Sequence, residues 1–187
     1  MELPQRHTQS LRAGRISLPN ARYFVTCSAV RPCNYLVAET VAHRIKETWA
    51  RMHLNGDIIP HCATIMPDHV HLLFTLTDRL KLSQAIGKFK ALTGSSRAGF
   101  HNQWQENYFE HRLRPDERLN PFGRYIFMNP YRSKLIALDV EWPHWILDDA
   151  TTFDFLAMLE RGRFPPRAWM DLSLEQMGLT AGATGED

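Results

Sequence analysis

The stretch Met66-Pro67-Asp68-His69-Val70-His71-Leu72-Leu73-Phe74 constrains this chain more than any other. It is an apolar run carrying two histidines two positions apart. In a β-strand successive side chains alternate faces, so His69 and His71 point the same way. Val70, Leu72, Phe74 and Leu76 then point the other way, into a core. Pro67-Asp68 ahead of the run is a tight-turn signal. The preceding residues 57–66 hold Ile58, Ile59, Ala63, Ile65 and Met66 and read as a partner strand. The gap between the two is too short for a crossover, which makes them a hairpin.

The flanking segments set the fold class. Residues 22–30 are aromatic and β-branched and read as a first strand, stopped by Pro32. Residues 37–54 place Val41, Ile45, Trp49 and Met52 near the helical repeat, and Asn55-Gly56 ends that helix. Residues 80–100 form a second helix, with Leu82, Ile86, Phe89 and Leu92 on one face. Thr93-Gly94-Ser95-Ser96 weakens that helix or ends it early. Residues 104–114 read as a fourth strand. Residues 116–129 read as a third helix, with Pro121 in its first turn and Pro130 closing it. The order β-α-β-β-α-β-α predicts an α+β sandwich of ferredoxin-like type: an antiparallel sheet with helices on one face, plus the third helix.

A chain of 187 residues accommodates one well-buried core. Residues 1–20 are a polar, basic arm. Residues 21–136 are the domain. Residues 137–187 form a tail containing Trp142-Pro143-His144-Trp145, an amphipathic piece at 151–160, and a polar end expected to be partly disordered.

Net charge is only +2, so its distribution matters more than its sum. Arg6, Arg12, Arg15 and Arg22 crowd the first 22 residues against Glu2 alone. Lys81, Lys88, Lys90 and Arg97 lie in 81–101 with no acid. These clusters are either a polyanion footprint or ordinary solvated faces. Cys27, Cys33 and Cys62 are odd in number and lack the spacing of a disulfide framework. With no signal-type leader and no membrane-length apolar run, a cytoplasmic protein is expected.

Two imidazoles on one strand face are either half-exposed strand histidines or two ligands of one divalent ion. Two ligands are too few for a structural metal site, so a third must come from elsewhere. Tyr125 and Asn129 are four apart on the third helix and share a face. A tyrosine hydroxyl is a usable nucleophile, and an asparagine carbonyl is a usable ligand. Tyr125 is otherwise an ordinary core tyrosine.

Met66-Pro67-Asp68-His69-Val70-His71-Leu72 resembles the His-hydrophobic-His motif of the single-tyrosine (HUH) transposases, whose domain is called IS200-like. Tyr125-Ile126-Phe127-Met128-Asn129-Pro130 resembles their nucleophile helix, and the branch it is most similar to is the REP-associated tyrosine transposases. The resemblance runs from about Ala21 to about Leu135. It implies that His69, His71 and Asn129 hold magnesium or manganese. It also implies that Tyr125 attacks a scissile phosphate in single-stranded or hairpin DNA, leaving a 5′-phosphotyrosine link and a free 3′-hydroxyl. Arg12, Arg15, Arg22, Lys81, Lys88, Lys90 and Arg97 are then the expected DNA contacts. Relatives act as monomers or homodimers. Tyr131 follows Asn129-Pro130 where the family often has a small or aliphatic residue, and is a rival nucleophile.

Two other readings stand beside this one. One is a catalytically silent DNA- or RNA-binding protein on the same scaffold. The other is a structural zinc module using His61, Cys62, His69 and His71. The transposase reading makes a geometric demand: His69, His71, Tyr125 and Asn129 must converge on one pocket open to solvent.

Overall fold

The computed structural model describes residues 17–30, 35–94, 104–180 and 182–185. In chain order the elements are β1 (Arg22–Ser28), α1 (Glu39–Leu54), β2 (Ile58–Ile65), β3 (His69–Leu76), α2 (Leu82–Thr93), β4 (Phe109–Arg112), α3 (Leu119–Arg132) and β5 (Trp145–Leu147). Two 3-10 turns follow, at Asp154–Met158 and Arg167–Asp171. The strands form one sheet in the order β4-β1-β3-β2-β5, and every pairing is antiparallel. This is the α+β architecture anticipated above.

The alternation in β3 sorts the two cores. Val70, Leu72, Phe74 and Leu76 pack with Val25, Cys27, Ala63 and Ile65 beneath α1 and α2, which supply Ile45, Trp49, Ile86 and Phe89. The opposite face offers Phe24, Cys62 and Leu73 to α3 and the tail. Burying one such aromatic or aliphatic side chain stabilises the fold by about 1.5–3 kcal/mol, so both faces contribute. α3 is buried nearly all round, through Phe122, Tyr125, Ile126, Phe127, Met128 and Tyr131. It is covered by the sheet on one side and by the tail on the other.

Local chemistry explains the element ends. α1 stops at Asn55, and Gly56 follows at φ +70°, a conformation that side chains resist. Pro60 sits in β2 where the register with β3 shifts between Pro60 and Cys62, which tolerates the missing amide. α2 ends at Thr93 rather than near residue 100, and Gly94 is already extended. The Pro32 stop lies outside the described residues.

One expectation needs correction. Pro130 does not close α3, which runs on to Arg132. Proline lacks only its own N–H, and its carbonyl still accepts from Leu135 at 3.0 Å. The helix instead ends where Lys134 turns left-handed, at φ 56°. The tail joins the sheet and the second core. Trp145–Leu147 pairs with β2, matching Thr64 to Trp145 and Cys62 to Leu147. Beyond it, Phe153, Phe155, Trp169, Met177 and Leu179 are buried against α3.

Candidate active site

His71 lies at the centre of the face beneath α3 and is 1% exposed. Its Nε2 stands 3.0 Å from Nε2 of His69. Its Nδ1 stands 2.9 Å from the Thr26 hydroxyl. On the other side of the pair, His69 Nδ1–H donates to Asp68 Oδ1 at 2.7 Å. That bond holds the Asp68 carboxyl below its usual range. Burial, then the neighbouring His69, pushes His71 well below the ordinary histidine value, so its ring is neutral. One pattern of donors satisfies every bond. Thr26 donates to His71 Nδ1, His71 Nε2–H donates to His69 Nε2, and His69 Nδ1–H donates to Asp68.

Asp68 and Thr26 engage the outer nitrogens and leave both Nε2 atoms facing each other. This is the arrangement by which second-layer groups orient imidazole ligands. Thr26 can accept as well as donate, so it also supports the His71 tautomer whose Nε2 is free to bind a metal. The donor set therefore fits one divalent ion, completed by oxygen ligands. Among the described residues no group of three or more His, Cys, Asp or Glu side chains is arranged for a metal, so an ion at this pair would need further ligands besides the two imidazoles.

α3 brings the tyrosine to this pair. Tyr125 stands edge-on to His71, with ring centroids 5.5 Å apart and planes at 64°. It also meets Phe24 at 5.8 Å, and Phe24 stacks on His71 at 5.4 Å. Asn129, one turn on along the same helix face, is 5% exposed. Its Oδ1 is buried with no hydrogen-bond partner among the described residues. Tyr131 faces elsewhere: its hydroxyl donates to the Val140 carbonyl at 3.1 Å, and burial raises its pKa.

The site is not open to solvent as expected. Tyr125 and His71 are each 1% exposed. The reason is α3 itself, clamped flat on the sheet by the tail. Phe127 packs against Trp145 and Phe155, and Arg124 lies over Trp169.

The basic residues scatter. Lys88 pairs with the buried Asp57 at 2.5 Å. Lys90 donates to the carbonyls of Gln105 and Asn107 and lies over the Tyr108 ring. Arg22 donates to the carbonyl of Glu117 at 3.0 Å, just ahead of α3. Lys81 is exposed at the start of α2. Arg12, Arg15 and Arg97 lie outside the described residues.

The four zinc-module residues do not gather. His61 bonds Thr75 and Thr151. Thr75 lies four residues along β3 from His71, about 13 Å away at strand rise. Cys62 is buried in the apolar core, which raises its thiol pKa and opposes ligation.

Comparison with known proteins gives the family and the fold. The family described as "Transposase IS200 like" matches residues 23–127. That span contains the histidine pair and Tyr125 and covers more than half of the chain. The chain belongs to the IS200-like, single-tyrosine transposase family. Its class is that of nucleases and strand transferases acting on single-stranded DNA, generally with a divalent metal. A solved REP-associated tyrosine transposase bound to a REP hairpin shares the fold, with a TM-score of 0.62 at 20% identity over 85% of this chain and 88% of that one. A putative transposase from Deinococcus radiodurans R1 aligns at 18% identity over 67% of this chain and 96% of that one, with a TM-score of 0.43. No curated protein matches the chain in sequence. No described helix is long and apolar enough to cross a membrane.

Thr26 and Asp68 went unassigned in the sequence as site residues. Asp68 was visible only as a turn former. Thr26 had no local signal, because its role depends on pairing opposite His71.

Proposed function

We propose that this protein cleaves single-stranded DNA at hairpin or palindromic elements, with Tyr125 as nucleophile. The Tyr125 oxygen attacks the phosphorus, and the bond from phosphorus to the 3′-oxygen breaks. The phenol loses its proton and the departing 3′-oxygen gains one. A 5′-phosphotyrosine link and a free 3′-hydroxyl result. Attack by a 3′-hydroxyl on that link reverses the step and joins strands.

His69 and His71 hold the divalent ion, and Asn129 supplies an oxygen ligand. Magnesium or manganese bound there supplies Lewis-acid polarisation of the phosphate. Asp68 and Thr26 keep the two imidazoles in position. Arg12, Arg15, Arg22, Lys81 and Arg97 are the DNA contacts. Lys88 and Lys90 contribute to DNA contact only where their internal bonds are exchanged. The protein works at DNA in the cytoplasm.

The observation that carries this proposal is the approach of Tyr125 to His71 at 5.5 Å between ring centroids. Tyr125 meets His71, and the buried Asn129 amide lies one helical turn on along the same face of α3. The burial of Tyr125 requires α3 to shift before DNA enters. That same burial favours the second reading, a silent nucleic-acid-binding protein. The two part on one test. The protein is incubated with labelled single-stranded hairpins and manganese, and covalent protein–DNA adducts are sought. Transfer requires an adduct that Tyr125→Phe removes. Hairpin binding without any adduct across a broad library points to the silent binder.

A further inference from the structure

A second threonine flanks His71. In the register of the sheet, Thr26 on β1 and Thr64 on β2 are both paired with His71 on β3. Directly paired residues share a sheet face, with Cβ atoms about 4.5–5.5 Å apart. Thr64 is also paired with Trp145 on β5. It therefore lies between His71 and Trp145, on the face that α3 covers.

The two threonines differ in what their hydroxyls do. Thr26 is bonded to His71 Nδ1. Thr64 is 0% exposed, and its Oγ1 has no hydrogen-bond partner among the described residues. A buried, unsatisfied hydroxyl is unfavourable, and valine would fill the same space without that cost. Strand propensity does not explain it, since valine also fits a buried strand. Asn129 Oδ1, on the face of α3 that carries Tyr125, is likewise without a partner among the described residues. Unsatisfied oxygens on the two elements that enclose His71 indicate a polar guest between them.

We infer that Thr64 is a positioning residue of the metal site. Its hydroxyl donates a hydrogen bond to an oxygen ligand of the divalent ion, on the side of His71 away from Thr26. That oxygen belongs either to water or to a DNA phosphate. Both present the same acceptor, and Asn129 fills a neighbouring position. The inference rests on the metal reading of the histidine pair. It adds a residue that shares no motif with that pair and is brought to it only by the sheet.

The test compares wild type with Thr64→Val, Thr64→Ser and His69→Gln. Manganese binding is followed by electron paramagnetic resonance, with and without a single-stranded oligonucleotide. Thermal unfolding of the metal-free proteins is recorded in parallel. Thr64→Val should weaken manganese binding about tenfold or more, as loss of second-layer partners does. Thr64→Ser should restore it. The loss appears without oligonucleotide when the oxygen is water, and only with it when the oxygen is a phosphate. Metal-free Thr64→Val should unfold at a higher temperature than wild type, because the orphan hydroxyl is gone. Wild-type affinity in Thr64→Val, in both arms, overturns the role of Thr64 while leaving the histidine site standing. A wild type that binds manganese no better than His69→Gln overturns the metal reading and this inference with it.

Discussion

Tyr125 and His71 are in edge-to-face contact, 5.5 Å apart between ring centroids, and each is 1% exposed. One side chain comes from α3 and the other from the central strand of the sheet. Such a contact contributes about 0.5–1.5 kcal/mol beyond area burial. The tyrosine is thus held against His71 by packing.

Substitution of the two tyrosines of α3 separates their roles. Tyr125→Phe keeps the ring contacts with Phe24 and His71 and so keeps the fold. It should lower adduct formation by about 10³-fold or more, as loss of a nucleophile does. Tyr131→Phe loses the bond to Val140 and should cost about 1 kcal/mol of stability with the adduct retained. Gel analysis of labelled hairpin adducts, with denaturant melts, reads both. An adduct in Tyr125→Phe removes this residue from the nucleophile role.

In the proposed metal site, the outer partners of the imidazoles should set the affinity for the ion. Asp68→Ala and Thr26→Val each leave both Nε2 atoms in place but remove the outer hydrogen bond that fixes the ring. Each should weaken manganese binding about 10–100-fold. Calorimetric titration measures it, and unchanged affinity in both would show that the pair is not oriented by these groups.

Lys88 and Lys81 belong to one basic helix but should behave differently. Lys88 neutralises Asp57, whose side chain is only 4% exposed, while Lys88 itself is 36% exposed. Lys88→Ala should cost roughly 2 kcal/mol, since a buried carboxylate loses its partner but water reaches part of the site. Lys81→Ala should leave stability within about 0.5 kcal/mol and reduce the salt dependence of DNA binding. Urea melts and salt titrations of hairpin affinity decide between them.

Gly123 reports on the clamp over α3. Alanine normally stabilises a helix by about 1 kcal/mol relative to glycine. Here a Cβ would overlap the Phe153 ring. Gly123→Ala should therefore destabilise by roughly 1–3 kcal/mol, through overpacking. Adding Phe153→Ala should recover part of that loss in a double-mutant cycle. A stabilised Gly123→Ala protein would mean that the tail does not sit on α3 in solution.

Acid should weaken the entry to α3 through Glu117. Burial raises its carboxyl pKa, but the Arg114 amide and His111 outweigh that and hold it below the ordinary glutamate range. A lowered folded value stabilises the native state above the unfolded pKa, and that stability disappears as pH falls through the folded value. Wild type should exceed Glu117→Gln in stability at pH 6 and converge on it as pH falls below 4.5. A gap between the two that is constant with pH would refute the ionic role.

Much of this was legible along the chain. Alternation alone put His69 and His71 on one face and Val70, Leu72 and Phe74 on the other, because a strand has period two. A helical spacing of four put Tyr125 and Asn129 on one side of α3. The hairpin of β2 and β3 followed from a gap too short to cross a sheet. These are local rules, and local order is what a sequence encodes directly.

The remainder depended on partners far apart in sequence. Lys88 was visible as a charge, but not that it would meet Asp57, since that needs α2 laid beside the turn after α1. The tail looked like a loose extension until Trp145 found the edge of β2. Thr26 and Thr64 carry no motif, and only the register of three strands sets them on either side of His71. The sequence by itself determined which residues could do the chemistry and which faces they occupy. The tertiary structure alone decided which of them meet, and how deeply they are buried, because those outcomes depend on long-range pairing and close packing that no local pattern specifies.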